Sequence, residues 1–234
     1  MLPILCLFDI DGTLVRGSTR ENPTSPSLDF AFKKIFGITD FNYTKYQKYD
    51  GTTDFNIVLG VGKLNGIQED ELKNKFNTFI DEAIVYMENN YPDYNNNLLP
   101  CVKTLIGVLC KKGVICGVLT GNAEKKGWWK LKKTGLDKFI KFGAFGDSII
   151  NREELFPLAL EKAETISGLH FDKKNIFIIG DTYHDIEVAK IHSLKSIAVA
   201  TGRMTNTELK RYEPDYIFAD LTKTKEFLKI IGID

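Results

Sequence analysis

The stretch Ile4-Leu5-Cys6-Leu7-Phe8 is apolar at every position and stops abruptly at Asp9-Ile10-Asp11-Gly12-Thr13. A strand that is apolar without alternation is buried on both faces, and in α/β chains that requires a parallel sheet with helices on either side. Such a sheet needs crossover connections, and they are legible from residue 98 onward. Helical segments at 98–111, 152–167, 186–192, 207–212 and 222–231 interleave with strand-like runs at 114–119, 175–179, 196–200 and 216–218. The alternation predicts a doubly wound α/β fold. Residues two apart on an extended segment point the same way, so Asp9 and Asp11 are expected to converge just beyond the first strand. Two anions that close repel unless a cation or a shared proton intervenes. Gly12 permits a close backbone approach, and Thr13 adds a hydroxyl and an amide able to hold an anion. Together these residues suit Mg²⁺ and a phosphate, one Asp being free to attack and the other to carry protons.

Between the first strand and residue 98 the pattern changes. Arg16, Gly17 and Ser18, followed by a Pro, Ser and Asn stretch at 22–27, read as an exit into a separate lobe. Leu28, Ala31, Phe32, Ile35 and Phe36 keep helical spacing with Gly37 as the stop. A second helix is expected from Thr53 or Asp54 to Leu59, where Gly60, Gly62 and Gly66 interrupt it. A third, at 69–90, places Leu72, Phe76, Phe79, Ile80, Ala83, Ile84 and Met87 on one face. Residues 91–100 form the return link. The expected organisation is a larger α/β domain from 1–15 and 95–234 and a smaller all-helical domain from 16–94.

Two features of this lobe carry no chemistry. Gly60-Val61-Gly62-Lys63-Leu64 is no phosphate loop, because Ile57 stands where its first glycine belongs and Leu64 where a hydroxyl would be needed. Asn42-Tyr43-Thr44 is a formal glycosylation sequon, but no secretory leader accompanies it. Arg16, Arg20, Lys45 and Lys48 either meet a carboxylate or second phosphate of a substrate or simply face water.

Thr120-Gly121-Asn122 follows the 114–119 strand at the edge where open parallel sheets bind ligands, which would bring Thr120 beside Asp9. Its hydroxyl and the amides of Gly121 and Asn122 can donate to a phosphate, although a helix N-cap explains the same residues. Gly180-Asp181-Thr182-Tyr183-His184-Asp185 follows the 175–179 strand, and a capped turn accounts for one of its acids but not both. Arg152 stands at a helix start, where a cation opposes the helix dipole unless an anion compensates it; a solvated surface Arg explains it as well. Trp128 and Trp129 read as packing residues, and His184 lacks a second His or Cys nearby for zinc.

FDIDGT at 8–13, the strand ending in Thr120, and GDTYHD at 180–185 together resemble motifs of the haloacid dehalogenase-like (HAD) phosphohydrolase superfamily. Gly51-Thr52-Thr53-Asp54 is similar to a Gly-x-Thr-Asp turn of phosphoglycolate phosphatase-like members, and by itself also reads as a helix N-cap. The resemblance implies a Rossmann-like core with a helical cap inserted after the first motif. It implies Mg²⁺ held by Asp9, Asp11, Asp181 and Asp185, with Asp181 a direct ligand and Asp185 orienting the ion or its waters. Asp9 would be the nucleophile, Asp11 the acid and base, and Thr120 and Arg152, with Lys162 as the alternative cation, the groups binding the phosphoryl oxygens, supported by Gly12, Thr13, Gly121 and Asn122. The implied activity is hydrolysis of a small phosphorylated metabolite through an aspartyl phosphate. A phosphomutase acting on a sugar phosphate, similar to β-phosphoglucomutase, shares all of these motifs. A receiver-type phosphoacceptor shares the acid cluster but not the helical lobe. Dehalogenating members lack the second acid, so Asp11 argues against that chemistry.

Lys plus Arg and Asp plus Glu are equal at 31 each, so no basic surplus points to nucleic acid or an anionic membrane. No run approaches the roughly 20 apolar residues of a membrane span. The expectation is a cytoplasmic monomer or homodimer acting on a small molecule. Cys6, Cys101, Cys110 and Cys116 show no CxxC spacing and lie in apolar stretches, as reduced core cysteines would.

Overall fold

The computed structural model describes residues 2–18, 25–40, 46–49 and 51–233. Six parallel strands, β1 (Leu5–Phe8), β2 (Ile115–Leu119), β3 (Gly143–Ala144), β4 (Ile176–Gly180), β5 (Lys195–Val199) and β6 (Tyr216–Phe218), form one sheet in the order β3-β2-β1-β4-β5-β6. The winding direction reverses between β1 and β4, which makes the crevice beyond their C-terminal ends the natural ligand position.

The unbroken apolar run of β1 has the physical cause inferred from the sequence. Cys6 and Phe8 pack into one apolar cluster with the helices α4 (Val102–Lys111), α5 (Glu124–Thr134) and α9 (Thr224–Ile230). Leu5 and Leu7 point to the opposite face, into a second cluster with α6 (Leu155–Ser167) and α7 (Tyr183–His192). A short helix, α8 (Asn206–Lys210), precedes β6.

Ahead of these, α1 (Pro26–Phe36), α2 (Asp54–Leu64) and α3 (Glu69–Asn90) bury a third apolar cluster of their own. Phe32 and Phe79 meet edge to face at 4.6 Å within it. Ala123 is the one buried core residue drawn from outside the helical lobe in that cluster. The α3 boundaries coincide with those expected from the periodicity.

Several expectations are corrected. Gly60 and Gly62 do not interrupt α2, which continues to Leu64. A Cβ at Gly60 would stand 2.1 Å from the Tyr49 ring and one at Gly62 2.2 Å from Leu72, so these glycines serve close packing and not chain reversal. The helix expected from residue 98 starts at Val102. Leu98 bridges to Val15 and the Leu99 amide donates to the Leu14 carbonyl at 3.0 Å, which holds this segment extended. Residues Arg152–Glu154 form a 3₁₀ turn before α6, and α7 starts three residues before the expected position, at Tyr183, because Thr182 and Asp185 cap it reciprocally. β3, only two residues long, escaped notice. Cys101 is exposed and Cys110 half-buried, whereas Cys6 and Cys116 are buried; all four are free thiols. Arg20, Lys45 and the 42–44 sequon lie outside the described residues. Among the described residues no helix is long and apolar enough to cross a membrane.

Candidate active site

Asp9 follows β1 directly, and its amide still donates to Ile179 of β4 at 2.8 Å, which fixes it at the switch point. Asp181 follows β4, and Asp185 lies in the first turn of α7. The three carboxylates are 5%, 4% and 2% exposed, and each offers an oxygen within 4.8 Å of the others. Residues from the two ends of the chain thus meet in one small volume.

Arg152 enters this cluster. Its Nη2 lies 3.0 Å from Asp9 Oδ1 and 2.5 Å from Asp185 Oδ1, while Nη1 donates to the Gly51 carbonyl at 3.0 Å. Lys162, the alternative cation, donates instead to the Gly143 carbonyl at 2.9 Å. Asp185 is further engaged by the Thr182 amide and hydroxyl, at 3.1 and 2.8 Å. Thr13 donates its hydroxyl to Asp181 at 3.2 Å. Gly12 has φ +80°, and a Cβ there would fall 2.3 Å from Asp181 Oδ2, so the backbone can pass this close only without a side chain.

Burial drives the Asp9 carboxyl up to about 6, with Asp185 and Asp11 adding repulsion against the opposing pull of Arg152. Burial and the neighbouring Asp9 and Asp185 likewise hold Asp181 well above the usual carboxylate range. On Arg152, the attraction of Asp185 and Asp9 outweighs burial and raises its pKa. Fully ionised, three carboxylates against one guanidinium would carry two net negative charges in a water-poor volume, which is why their protons are held so tightly. Oxygen donors with that charge deficit fit a hard divalent cation.

Asp11 departs from expectation. Its carboxylate is not a member of the three-acid cluster. Oδ2 accepts from Lys130 Nζ at 2.5 Å and from Asn122 Nδ2 at 2.9 Å, and the side chain is 36% exposed. The reason lies in the backbone: the strand ends at Phe8, and a tight turn through Gly12 pairs Asp11 with Val15, so period-two alternation does not extend to residue 11. Burial would raise the Asp11 pKa, but Lys130 and Lys126 hold it below the usual range.

The donors expected to serve a phosphate are distributed differently as well. The Gly12 and Thr13 amides donate to the Val15 and Ile10 carbonyls. Asn122 ties Asp11 to Thr120, donating to Thr120 Oγ1 at 2.9 Å and accepting from Lys130 at 2.8 Å. The Thr120 hydroxyl also bonds the Asp9 carboxylate. Gly121 is where the helical lobe docks. Its carbonyl accepts the Asp54 amide at 2.7 Å, and a Cβ would lie 2.3 Å from the Thr52 carbonyl oxygen.

The Gly51-Thr52-Thr53-Asp54 turn divides its labour. Thr53 accepts the Asn56 amide at 3.1 Å as the α2 N-cap. Asp54 crosses to α5, accepting the Ala123 amide at 2.7 Å and forming a buried pair with Lys126 at 2.6 Å. Lys126 and Lys130 were missed in the sequence. Their spacing, i and i+4 after the strand that ends in Thr120, was the available signal, since it puts both on one helix face toward the ligand edge. His184 lines the cavity, its ring 3.9 Å from that of Tyr183, and burial with the nearby Arg152 lowers its pKa to about 4. Arg16 borders the same cavity, whereas Lys48 lies over the Tyr49 ring at 5.0 Å.

A family model described as HAD-hydrolase-like matches residues 153–224. Pyrophosphatase PpaX of Listeria monocytogenes serotype 4b (strain CLIP80459) is 34% identical over 227 residues, covering 96% of this chain and 94% of that protein. The chain belongs to the haloacid dehalogenase-like hydrolase family. It is an enzyme of that family's phosphatase kind, as the motifs around Asp9 and Asp181 implied. Among solved structures, β-phosphoglucomutase from Clostridium difficile superposes with a TM-score of 0.73 at 16% identity, covering 99% of this chain and 98% of that one. A protein described as a predicted phosphoglycolate phosphatase from Haemophilus somnus 129pt gives 0.65 at 24% identity, covering 98% and 97%. These two likenesses concern the fold.

Proposed function

We propose that the chain hydrolyses a small phosphorylated metabolite by way of an aspartyl phosphate on Asp9, with Mg²⁺ held by Asp9, Asp181 and Asp185. The observation that carries this reading is the separation of the two early acids: Asp9 is buried against Arg152, while Asp11 is turned away and held by Lys130 and Asn122. That separation supports giving the attack to Asp9 and the proton transfers to Asp11. When bound, Mg²⁺ would neutralise the acid cluster and the phosphate dianion, lowering the repulsion between nucleophile and substrate.

In the first half-reaction an Asp9 oxygen attacks phosphorus, the bond to the leaving oxygen breaks, and that oxygen takes a proton from Asp11. At rest Asp11 is ionised by its lysine neighbours; a phosphate arriving beside it raises its proton affinity, and Asp11 takes one proton, from the monoanionic substrate or from water, before it acts as the acid. In the second half-reaction water attacks phosphorus, gives a proton to the Asp11 carboxylate, and the Asp9–phosphorus bond breaks to release phosphate. Arg152 orients Asp9 and offsets part of its charge, Thr120 donates to the phosphoryl group or to Asp9, and Lys130 and Asn122 hold Asp11 on the leaving-group side. Residues 16–94 act as a cap, fastened to the core through Asp54 and Lys126.

Phosphate release from a panel of small organic phosphates and pyrophosphate, with Mg²⁺ and with EDTA, tests the proposal. Activity that requires Mg²⁺ and vanishes in Asp9→Asn is expected. Turnover by Asp9→Asn near the unsubstituted rate would remove Asp9 from the nucleophile's role.

A further inference from the structure

The cavity over the acids measures about 620 Å³, and one of its walls takes no part in the chemistry above. Leu28, Met87, Tyr91, Tyr94 and Leu99 make this wall. Its place beside Asp11 is set by the backbone: Asp11 bridges to Val15, Val15 bridges to Leu98, and the Leu99 amide donates to Leu14. The Tyr94 ring packs edge-on against Trp129 at 4.7 Å, one residue before the Lys130 that grips Asp11, and Tyr91 meets Tyr94 at 6.2 Å. The wall therefore borders the side on which the leaving group departs.

Tyr91 and Leu99 are the wall's half-exposed members, and a leaving group no larger than a second phosphate or a glycolate would leave most of the cavity unfilled; cavities of this size hold organic ligands. Arg16 and Arg203 stand at the cavity, but on its buried side a second phosphate would meet no cation free of a carboxylate among the described residues. The buried cations among the described residues, Lys126, Lys130 and Arg152, are each already paired with carboxylates, those of Asp54, of Asp11, and of Asp9 and Asp185.

We propose that the substrate is a phosphomonoester whose alcohol carries an aromatic or aliphatic body, lying on the Tyr91 and Tyr94 wall while its oxygen faces Asp11. This inference rests on the assignment of Asp9 and Asp11 above. Aromatic side chains form such walls because their flat faces bury large area at fixed geometry.

The test compares initial rates of phosphate release by the whole chain, with Mg²⁺, from 2-phenylethyl phosphate, ethyl phosphate, 2-phosphoglycolate and pyrophosphate. The first two differ in the body to be buried and little in the leaving oxygen. We expect kcat/KM for 2-phenylethyl phosphate to exceed that of each other compound by at least about tenfold, the scale of burying one ring. Tyr91→Ala should bring the phenylethyl-to-ethyl ratio down toward one. Tyr91 is half-buried, and Leu99→Ala, at an equally half-buried position, supplies a second variant on the same wall should Tyr91→Ala fold poorly. Equal rates for the two esters, a ratio unmoved by both variants, or preference for pyrophosphate or phosphoglycolate overturns the inference and leaves the hydrolase intact. No phosphate from any of the four overturns the hydrolase reading itself, and the inference with it.

Discussion

Replacing Asp9 by Asn should stabilise the metal-free protein at neutral pH while abolishing turnover. The Asp9 carboxyl is raised from 3.8 to about 6, chiefly by burial. A folded-state pKa above the unfolded one means that the folded protein holds the proton more tightly. The stabilisation is complete below pH ~4 and is lost as pH rises through ~6. About two units at 1.36 kcal/mol each make the ionised group cost about 3 kcal/mol at pH 7.5. Asparagine has the same shape and no charge, and Arg152 keeps Asp185 as its partner. Thermal unfolding in EDTA should therefore find Asp9→Asn more stable at pH 7.5, by roughly 6–12 °C at 2–4 °C per kcal/mol for a chain of this size. The difference should shrink toward zero near pH 4. Adding Mg²⁺ should reverse the order, since ion at 1,000 times its Kd stabilises the unsubstituted protein by about 4.1 kcal/mol. A variant less stable than its parent at pH 7.5 in EDTA, or a difference that ignores pH, would refute the picture of uncompensated buried charge.

Asp54→Ala should lower stability by about 3–5 kcal/mol, because it strands the buried Lys126 ammonium; Asp54→Asn combined with Lys126→Met should recover much of that loss in urea unfolding. Gly12→Ala should abolish the Mg²⁺-dependent rise in Tm, since its Cβ would displace Asp181 and its φ of +80° disfavours any side chain. Gly60→Ala should cost about 1–3 kcal/mol in the same assay through overpacking against Tyr49, although alanine is the better helix former.

Much of the scaffold was readable because one physical cause dominated each segment. The uniform apolarity of β1 has no explanation but burial on both faces, and the face of α3 from Leu72 to Met87 has no strand-like alternative. The meeting of Asp9, Asp181 and Asp185 was readable because residues just past the ends of neighbouring parallel strands share one edge of the sheet. Asp11 was misplaced because its direction depends on where the strand stops, and Gly12 turns the chain before alternation can carry over. The i, i+4 spacing of Lys126 and Lys130 is masked by their neighbours. They lie on a helix that also carries Lys125, Lys132 and Lys133, so the pattern matches a solvated face, and only the approach of Asp54 and Asp11 buries those two. Gly60 and Gly62 mimicked a helix stop because a chain break and a close contact both call for glycine, and Tyr49 and Leu72, which decide the matter, are distant in sequence.

A covalent phosphoryl group on residue 9 is the intermediate on which every other role depends. Borohydride reduces an acyl phosphate to an alcohol, so rapid quenching during turnover into borohydride, followed by peptide mass mapping, converts a phosphorylated aspartate to homoserine. The prediction is substrate-dependent homoserine at position 9 and at no other aspartate. Turnover with an unmodified Asp9, or homoserine at Asp11, Asp181 or Asp185 instead, would contradict it.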